Sequence, residues 1–342
     1  MRARGMTYDT GLLRNGHTSH PAFDPVTVRR ELRIIRDDLH CTAVQIIGGD
    51  ADRLEQAARH AAELGLEVWF TPYPLELTVE QMRELFLDCA ERAERLRVGG
   101  ANVVFVAGSE HSVMNQGFVD GGSITERVDR LLGDPVARHR RIAEASDRVN
   151  AFLRTAIPEI RARFAGPVTY AAIPFEHIDP ALLDIVTVEL IRSAEVADRF
   201  RDGVRALVAQ GKPVAITGFG AATWRGAGDV APRSMEIVEY GERGEPLRLD
   251  SVYERDEEGQ AKYLREVLEI FDDEGVDSTF VFLFALHSHP HRPDGDPRED
   301  LDIASFGIVA PLEGRRGSTY PDMPWEPKAA FAAVAESYRP AS

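Results

Sequence analysis

Three glutamates and a histidine stand where this chain could move protons. Glu110 closes the apolar run VVFVAGSE, Glu189 closes DIVTVE, Glu176 follows TYAAIPF and His287 follows TFVFLFAL. A carboxyl group half withdrawn from water has its pKa pushed up and can serve as a general acid near neutral pH. Imidazole titrates in the same range. Glu110 is expected to be a general acid/base; the plainer reading is a strand-end carboxylate bonded to an arginine or a backbone N–H. Glu189 has three readings: a contact to a substrate hydroxyl, a second catalytic carboxylate, or an ion pair with nearby Arg192. His287 is expected to carry a proton in support. Tyr8, Asp9, Tyr73, Glu176, Arg192, Gly218 and Trp224 occupy comparable places and are expected to bind the ligand. Carboxylates accept hydroxyl hydrogen bonds and aromatic faces pack on C–H surfaces, so this set suits a neutral, hydroxyl-rich small molecule.

Other chemistries find less support. The segment His287-Ser-His-Pro-His291 offers imidazoles at alternate positions, as a metal site would, but Pro290 interrupts it and no fixed carboxylate partner is evident. His287, His289 and His291 are therefore expected to be exposed loop histidines or to include one pocket proton carrier, for which His287 stands closest to the strand end, and no metal or cofactor is expected. The acidic stretch Asp294–Asp302 lacks the ligand spacing of a calcium loop and reads as a solvated loop paired with Arg292 and Arg298. There is no G-x-G-x-x-G fingerprint, P-loop or nucleophile elbow.

Short apolar runs alternate with helical stretches along the whole chain. The strand candidates are Met6–Asp9, Ala43–Ile47, Glu67–Phe70, Asn102–Ala107, Val168–Ala172, Asp184–Glu189, Pro213–Thr217 and Thr279–Ala285. Their apolar character suits strands buried on both faces. Helices are expected near 26–39, 137–164, 194–210, 257–274 and 326–338, after a cap at Asp50, and after a capping box at Thr78 and Gln81. Only a short helix fits between the fifth and sixth strands. Such alternation predicts one (β/α)₈ barrel domain over 1–342, with long loops after strands four, seven and eight. On that fold, residues at the C-terminal strand ends share one mouth, which is where the candidates above fall.

Composition narrows the partners. The chain has 342 residues, with 40 Lys and Arg against 56 Asp and Glu, a formal charge of −16. That field disfavours nucleic acid and anionic membrane, leaving a small-molecule substrate as the expected partner. No apolar run approaches the roughly 18–20 residues of a membrane span. The N-terminus carries no secretory pattern, and the only two cysteines, Cys41 and Cys89, fall in core-like segments. A reduced, cytoplasmic protein is expected.

Two stretches resemble a known group. VVFVAGSEHS, which contains Glu110, resembles the acid/base strand of retaining glycoside hydrolases built on this barrel. PVAITGFG resembles their nucleophile strand, whose usual form has Glu where this chain has Gly218. The chain is also similar over most of its length to an uncharacterised bacterial barrel family labelled abortive infection protein, in RGMTYDTG, GLEVWFTPYP, KPVAITGFG, HRPDGDPREDLDIASFG and YPDMPWEPK. That label suggests phage defence, although no residues here resemble a nuclease or toxin site. The hydrolase resemblance implies a sugar-type pocket with Glu110 as acid/base. Retaining hydrolysis needs two carboxyl groups about 5–5.5 Å apart, and glycine supplies none. The expected function is a glycosidase-like barrel turned to acid/base elimination, cyclisation or isomerisation of a small polyhydroxylated or natural-product ligand. The alternatives are a hydrolase that recruits Glu189 and a non-catalytic sugar-binding protein.

Overall fold

A computed structural model describes residues 1–241 and 244–340; Ala341 and Ser342, which close the expected 1–342 domain, lie outside the described residues, as do Glu242 and Arg243. Eight parallel strands close into a barrel, β1 Ala3–Asp9, β2 Ala43–Gly48, β3 Glu67–Pro72, β4 Val103–Ser109, β5 Val168–Ala172, β6 Val186–Glu189, β7 Val214–Gly218 and β8 Ser278–Val281. Each pairs with the next, and β8 pairs with β1. This is the expected (β/α)₈, or TIM, barrel.

The alternation of side chains along each strand makes two cores. Ala3, Ala43, Trp69, Val104, Val106, Ala171, Ile185, Ala215 and Phe280 form a buried cluster of their own. Trp69 and Phe280 meet there with ring centroids 4.7 Å apart, and small residues line the remaining space. The Phe280 ring takes the place a side chain at Gly5 would need. The alternate positions, such as Met6, Tyr8, Val44, Ile46, Phe70 and Phe105, join the larger core beneath the helices.

Those helices are α1 Pro25–Asp37, α2 Ala51–Glu63, α3 Val79–Val98, α4 Ile124–Leu132, α5 Arg138–Arg161, α6 Ala197–Val208, α7 Glu257–Asp273 and α8 Ala329–Tyr338. Asp50 caps α2 by accepting from two backbone N–H groups, and Thr78 with Gln81 forms the capping box of α3. Between β5 and β6 there is only a 3₁₀ turn, Pro180–Leu182. A short antiparallel ladder of Val238–Tyr240 with Pro246–Leu249 lies in the β7 loop. Cys41 and Cys89 are buried free thiols, and no described helix is long and apolar enough to cross a membrane.

Three expectations need correction. The long loop after β4 is partly helical: a one-turn helix, His111–Met114, and α4 frame the irregular residues 115–123. β8 stops at Val281 rather than Ala285, although Phe282 N–H still donates to Phe219 O (3.0 Å) and Phe284 N–H to Thr7 O (2.9 Å). The acidic stretch is only partly solvated. Asp302 is fully buried and paired with Arg255 and Lys328, whereas Arg292 and Arg298 pair with Glu313 and Glu239.

Candidate active site

The end of β4 is shaped by a break in its ladder. Its register with β5 shifts between Val106 and Ser109, Gly108 has φ +77 and Glu110 has φ 51, both left-handed. The His111 ring folds back into the space a Cβ at Gly108 would occupy, and its Nε2 lies 2.9 Å from Ala107 O. Position 108 thus needs glycine twice over, for its angle and for its room. A left-handed conformation is uncommon for glutamate and is held here by its surroundings.

That turn sets Ser109 and Glu110 at the mouth. Ser109 Oγ donates to Glu189 Oε1 (3.2 Å) and lies 3.1 Å from Ala171 O. Thr217 Oγ1 donates to the same Glu189 oxygen (3.1 Å). Glu189 pairs in register with Gly218, and a Cβ built on Gly218 would overlap Glu189 Oε2 and lie 2.5 Å from its Cδ. The carboxyl group of Glu189 therefore fills the volume that a side chain at 218 would take.

Glu176 anchors the cluster from beneath. Its oxygens accept from Ser112 N–H (2.9 Å) and Tyr170 O–H (2.7 Å), and the Tyr170 hydroxyl oxygen in turn accepts from His111 N–H (2.8 Å). The one-turn helix after Glu110 is thereby tied to the end of β5. Tyr73 completes the group, its hydroxyl close to Ser109 and close enough to Glu110 to act on that carboxyl group's charge.

No arginine or lysine is bonded to these carboxyl groups among the described residues. Burial pushes the Glu110 carboxyl well above the usual carboxylate range; the charges of Glu189 and Glu176 add to this and the Tyr73 hydroxyl opposes it. Burial likewise raises Glu189 to about 7 despite the Thr217 and Ser109 hydroxyls, and it raises Glu176. Like-charged carboxyls in a dry site do not all ionise, so the cluster holds protons near neutrality.

A second group forms on the opposite side of the ring, at β8 and β1. Asp9 accepts from Gly11 N–H (2.8 Å) and Ser19 O–H (2.5 Å), and the His287 ring stacks on that of His20. The remaining candidates are placed elsewhere. Tyr8 points out of the barrel into the α1 interface, where its hydroxyl donates to Glu31 (2.5 Å). Trp224 donates to Ser234 O (2.9 Å) and packs on Tyr253 in the β7 loop. Arg192 does not pair with Glu189: its guanidinium lies over the Tyr263 ring and bonds Glu266 on α7 at 2.5 Å.

The histidine run also departs from expectation. His289 is 4% exposed and His291 bonds Asp300 at 2.9 Å, so neither is a free loop histidine. Among the described residues no group of three or more His, Cys, Asp or Glu could hold a metal ion. Sequence reading missed Ser109 and His20. Alternation in β4 would turn Ser109 outward with Phe105; the register break after Val106 brings it to the mouth, a feature no period shows, and His20 lies in a loop with no periodic signal.

No protein-family model matches the chain, and no curated protein does. Solved structures do resemble it. A GH113 β-1,4-mannanase in complex aligns over 99% of this chain and 99% of its own, with TM-score 0.59 and 15% identity. The GH113 β-mannanase AaManA from Alicyclobacillus acidocaldarius aligns over 98% and 97%, with TM-score 0.57 and 16% identity. A β-glucuronidase from Ruminococcus gnavus covers 99% of this chain with 49% of its own, at TM-score 0.55 and 13% identity. The barrel of this chain is thus of the kind found in glycoside hydrolases.

Proposed function

We propose that the chain is an acid/base enzyme acting on a hydroxyl-rich, glycoside-like small molecule, with Glu110 as the acid and Glu189 as the second carboxyl group. The observation that carries this reading is the seat of Glu189. It rises from β6 into the volume open at Gly218, so the neighbouring strand supplies a carboxyl group at the place where the resemblance would put one on position 218. Protonated Glu110 gives its proton to the leaving oxygen of the ligand. Glu189, raised to about 7 and so partly ionised near neutrality, takes a proton from an attacking water or from a ligand carbon. The first route is hydrolysis with inversion and the second is elimination; in both, one carboxyl loses a proton and the other gains one.

A nucleophilic role for Glu189 is told apart by its product: two of its bonds fall on one oxygen and leave the other for either role, and attack by that oxygen would give retained configuration. The mannanases and glucuronidase among similar structures make aryl β-mannosides and β-glucuronides the first substrates to try. Native protein, Glu110→Gln and Glu189→Gln should be assayed on such a panel with and without azide. We expect native turnover that falls about 100-fold or more in either variant, with inverted or unsaturated product. Silence from folded native protein, or turnover that survives Glu110→Gln, would overturn the proposal.

A further inference from the structure

The His20 and His287 rings lie face to face across the meeting of the β1 and β8 loops, with centroids 3.8 Å apart and planes 18° apart. His20 is held on every side. It is 3% exposed, and Phe23 meets its ring edge-on at 5.6 Å. Its backbone carbonyl accepts from the Arg53 guanidinium at 2.8 Å. Its Nδ1 lies 2.9 Å from Asp9 O. A carbonyl only accepts, so Nδ1 carries the proton and Nε2 keeps the lone pair.

His287 is different. Among the described residues no carboxylate is paired with it, although its near neighbour His291 has Asp300. The charged groups that bear on the stack all lie on the His20 side. Asp9 favours a charge on His20, and Arg53 opposes it. The Asp9 carboxyl is already engaged by Gly11 N–H and Ser19 O–H. A proton added to His287 would place a cation in ring contact with His20, with no anion to meet it.

We infer that His20 is a positioning residue, which by stacking on His287 holds that imidazole as an uncharged hydrogen-bond acceptor for a ligand hydroxyl, across the barrel from the carboxyl cluster. Burial pushes the His287 pKa well below the ordinary imidazole value, and the adjacent His20 pushes it the same way. An uncharged acceptor on one side of the mouth and proton-holding carboxyls on the other are complementary to a neutral polyol. The inference rests on the proposed function for the ligand class alone; the protonation state of His287 is measurable without any ligand.

The test is a proton NMR titration of the histidine ring signals in full-length native protein, His20→Leu and His20→Ala, with His287→Gln assigning the signal. In the native protein we expect the His287 midpoint to lie far below the ordinary value of about 6.5. His20→Leu keeps the ring face covered by apolar bulk, without the face of a π system that would attract a cation, and should leave most of the depression in place. His20→Ala uncovers the ring and should move the midpoint up towards 6.5. An ordinary midpoint in native protein, no movement in His20→Ala, or an equal rise in His20→Leu would each overturn the inference. If His20→Ala fails to fold, the partial truncation His20→Val must still raise the midpoint, and no rise there overturns the inference. A negative glycoside assay would sink the proposed function and leave these outcomes as they stand.

Discussion

At the scale of the residue, Gly218 and Glu189 are one feature shared between two strands. A methyl at 218 overlaps Glu189 Oε2 and crowds its Cδ, so the carboxyl group must swing and strain its bonds to Ser109 and Thr217. Gly218→Ala is therefore expected to destabilise the protein by about 0.5–1.5 kcal/mol, the usual worth of a displaced hydrogen bond. Paired with Glu189→Ala, which empties the contested space, the same methyl should cost much less. Urea unfolding of both single variants and the double variant measures this as a non-additive cycle; additive losses would mean that the two residues do not compete. Much of this corner was legible in the sequence. Strand-end position picked out Glu110, Glu189 and Gly218, because barrel topology converts strand ends into a shared mouth. The direction of a side chain beyond the strand was not legible. Arg192 is close to Glu189 in the chain yet turns to Glu266, and Tyr8 lies one residue out of phase with the inward-facing positions of β1.

At the scale of the element, α1 carries a carboxyl group on its buried face. Val28, Glu31, Leu32 and Ile35 recur at helical spacing and all are fully buried. Glu31 accepts from Tyr8 O–H on β1 and from Trp325 Nε1 at 2.8 Å, so it ties the helix to the barrel and to the segment that leads into α8. No cation is paired with it among the described residues, and burial lifts its pKa from 4.5 to about 7. The sign of the consequence follows. Between those values the folded state binds a proton that the unfolded state has released, so stability is full below about 4.5, falls as pH rises through 7, and is level above. A shift of this size corresponds to about 3 kcal/mol for one group. Glu31→Gln should flatten the fall in melting temperature between mildly acidic and mildly alkaline buffer. The residual slope would come from groups such as Glu189, whose raised pKa acts in the same direction. Equal slopes in native and variant protein would mean that Glu31 ionises freely in the fold. The sequence predicts a helix near 26–39 without assigning its faces; helical spacing from Val28 through Leu32 and Ile35 puts Glu31 on the apolar one, and what periodicity omits is the pair of donors, brought from β1 and from a segment 294 residues away.

At the scale of the whole molecule, the barrel strands were readable from apolar runs while the long loops were not, because their order comes from buried charge between distant segments. Asp302 shows how. It lies beyond β8 with no exposed surface, and it accepts from Lys328, the residue that opens α8, at 3.1 Å. It also pairs at 2.9 Å with Arg255, which precedes α7. Three stretches of chain are joined through one carboxylate, whereas composition alone suggested a hydrated acidic loop. The two partners differ in what they lose when the join is broken. Asp302→Asn would strand the Lys328 ammonium, 3% exposed and without another carboxylate partner among the described residues, so a loss of about 3–5 kcal/mol is expected. Lys328→Met leaves Asp302 still paired with Arg255 and replaces the stem by apolar volume, so it should cost less. Urea unfolding of the two variants gives the order directly. The reverse order would mean that Arg255 alone cannot balance Asp302, and that the lysine, rather than the aspartate, holds the β8 loop against the last helix.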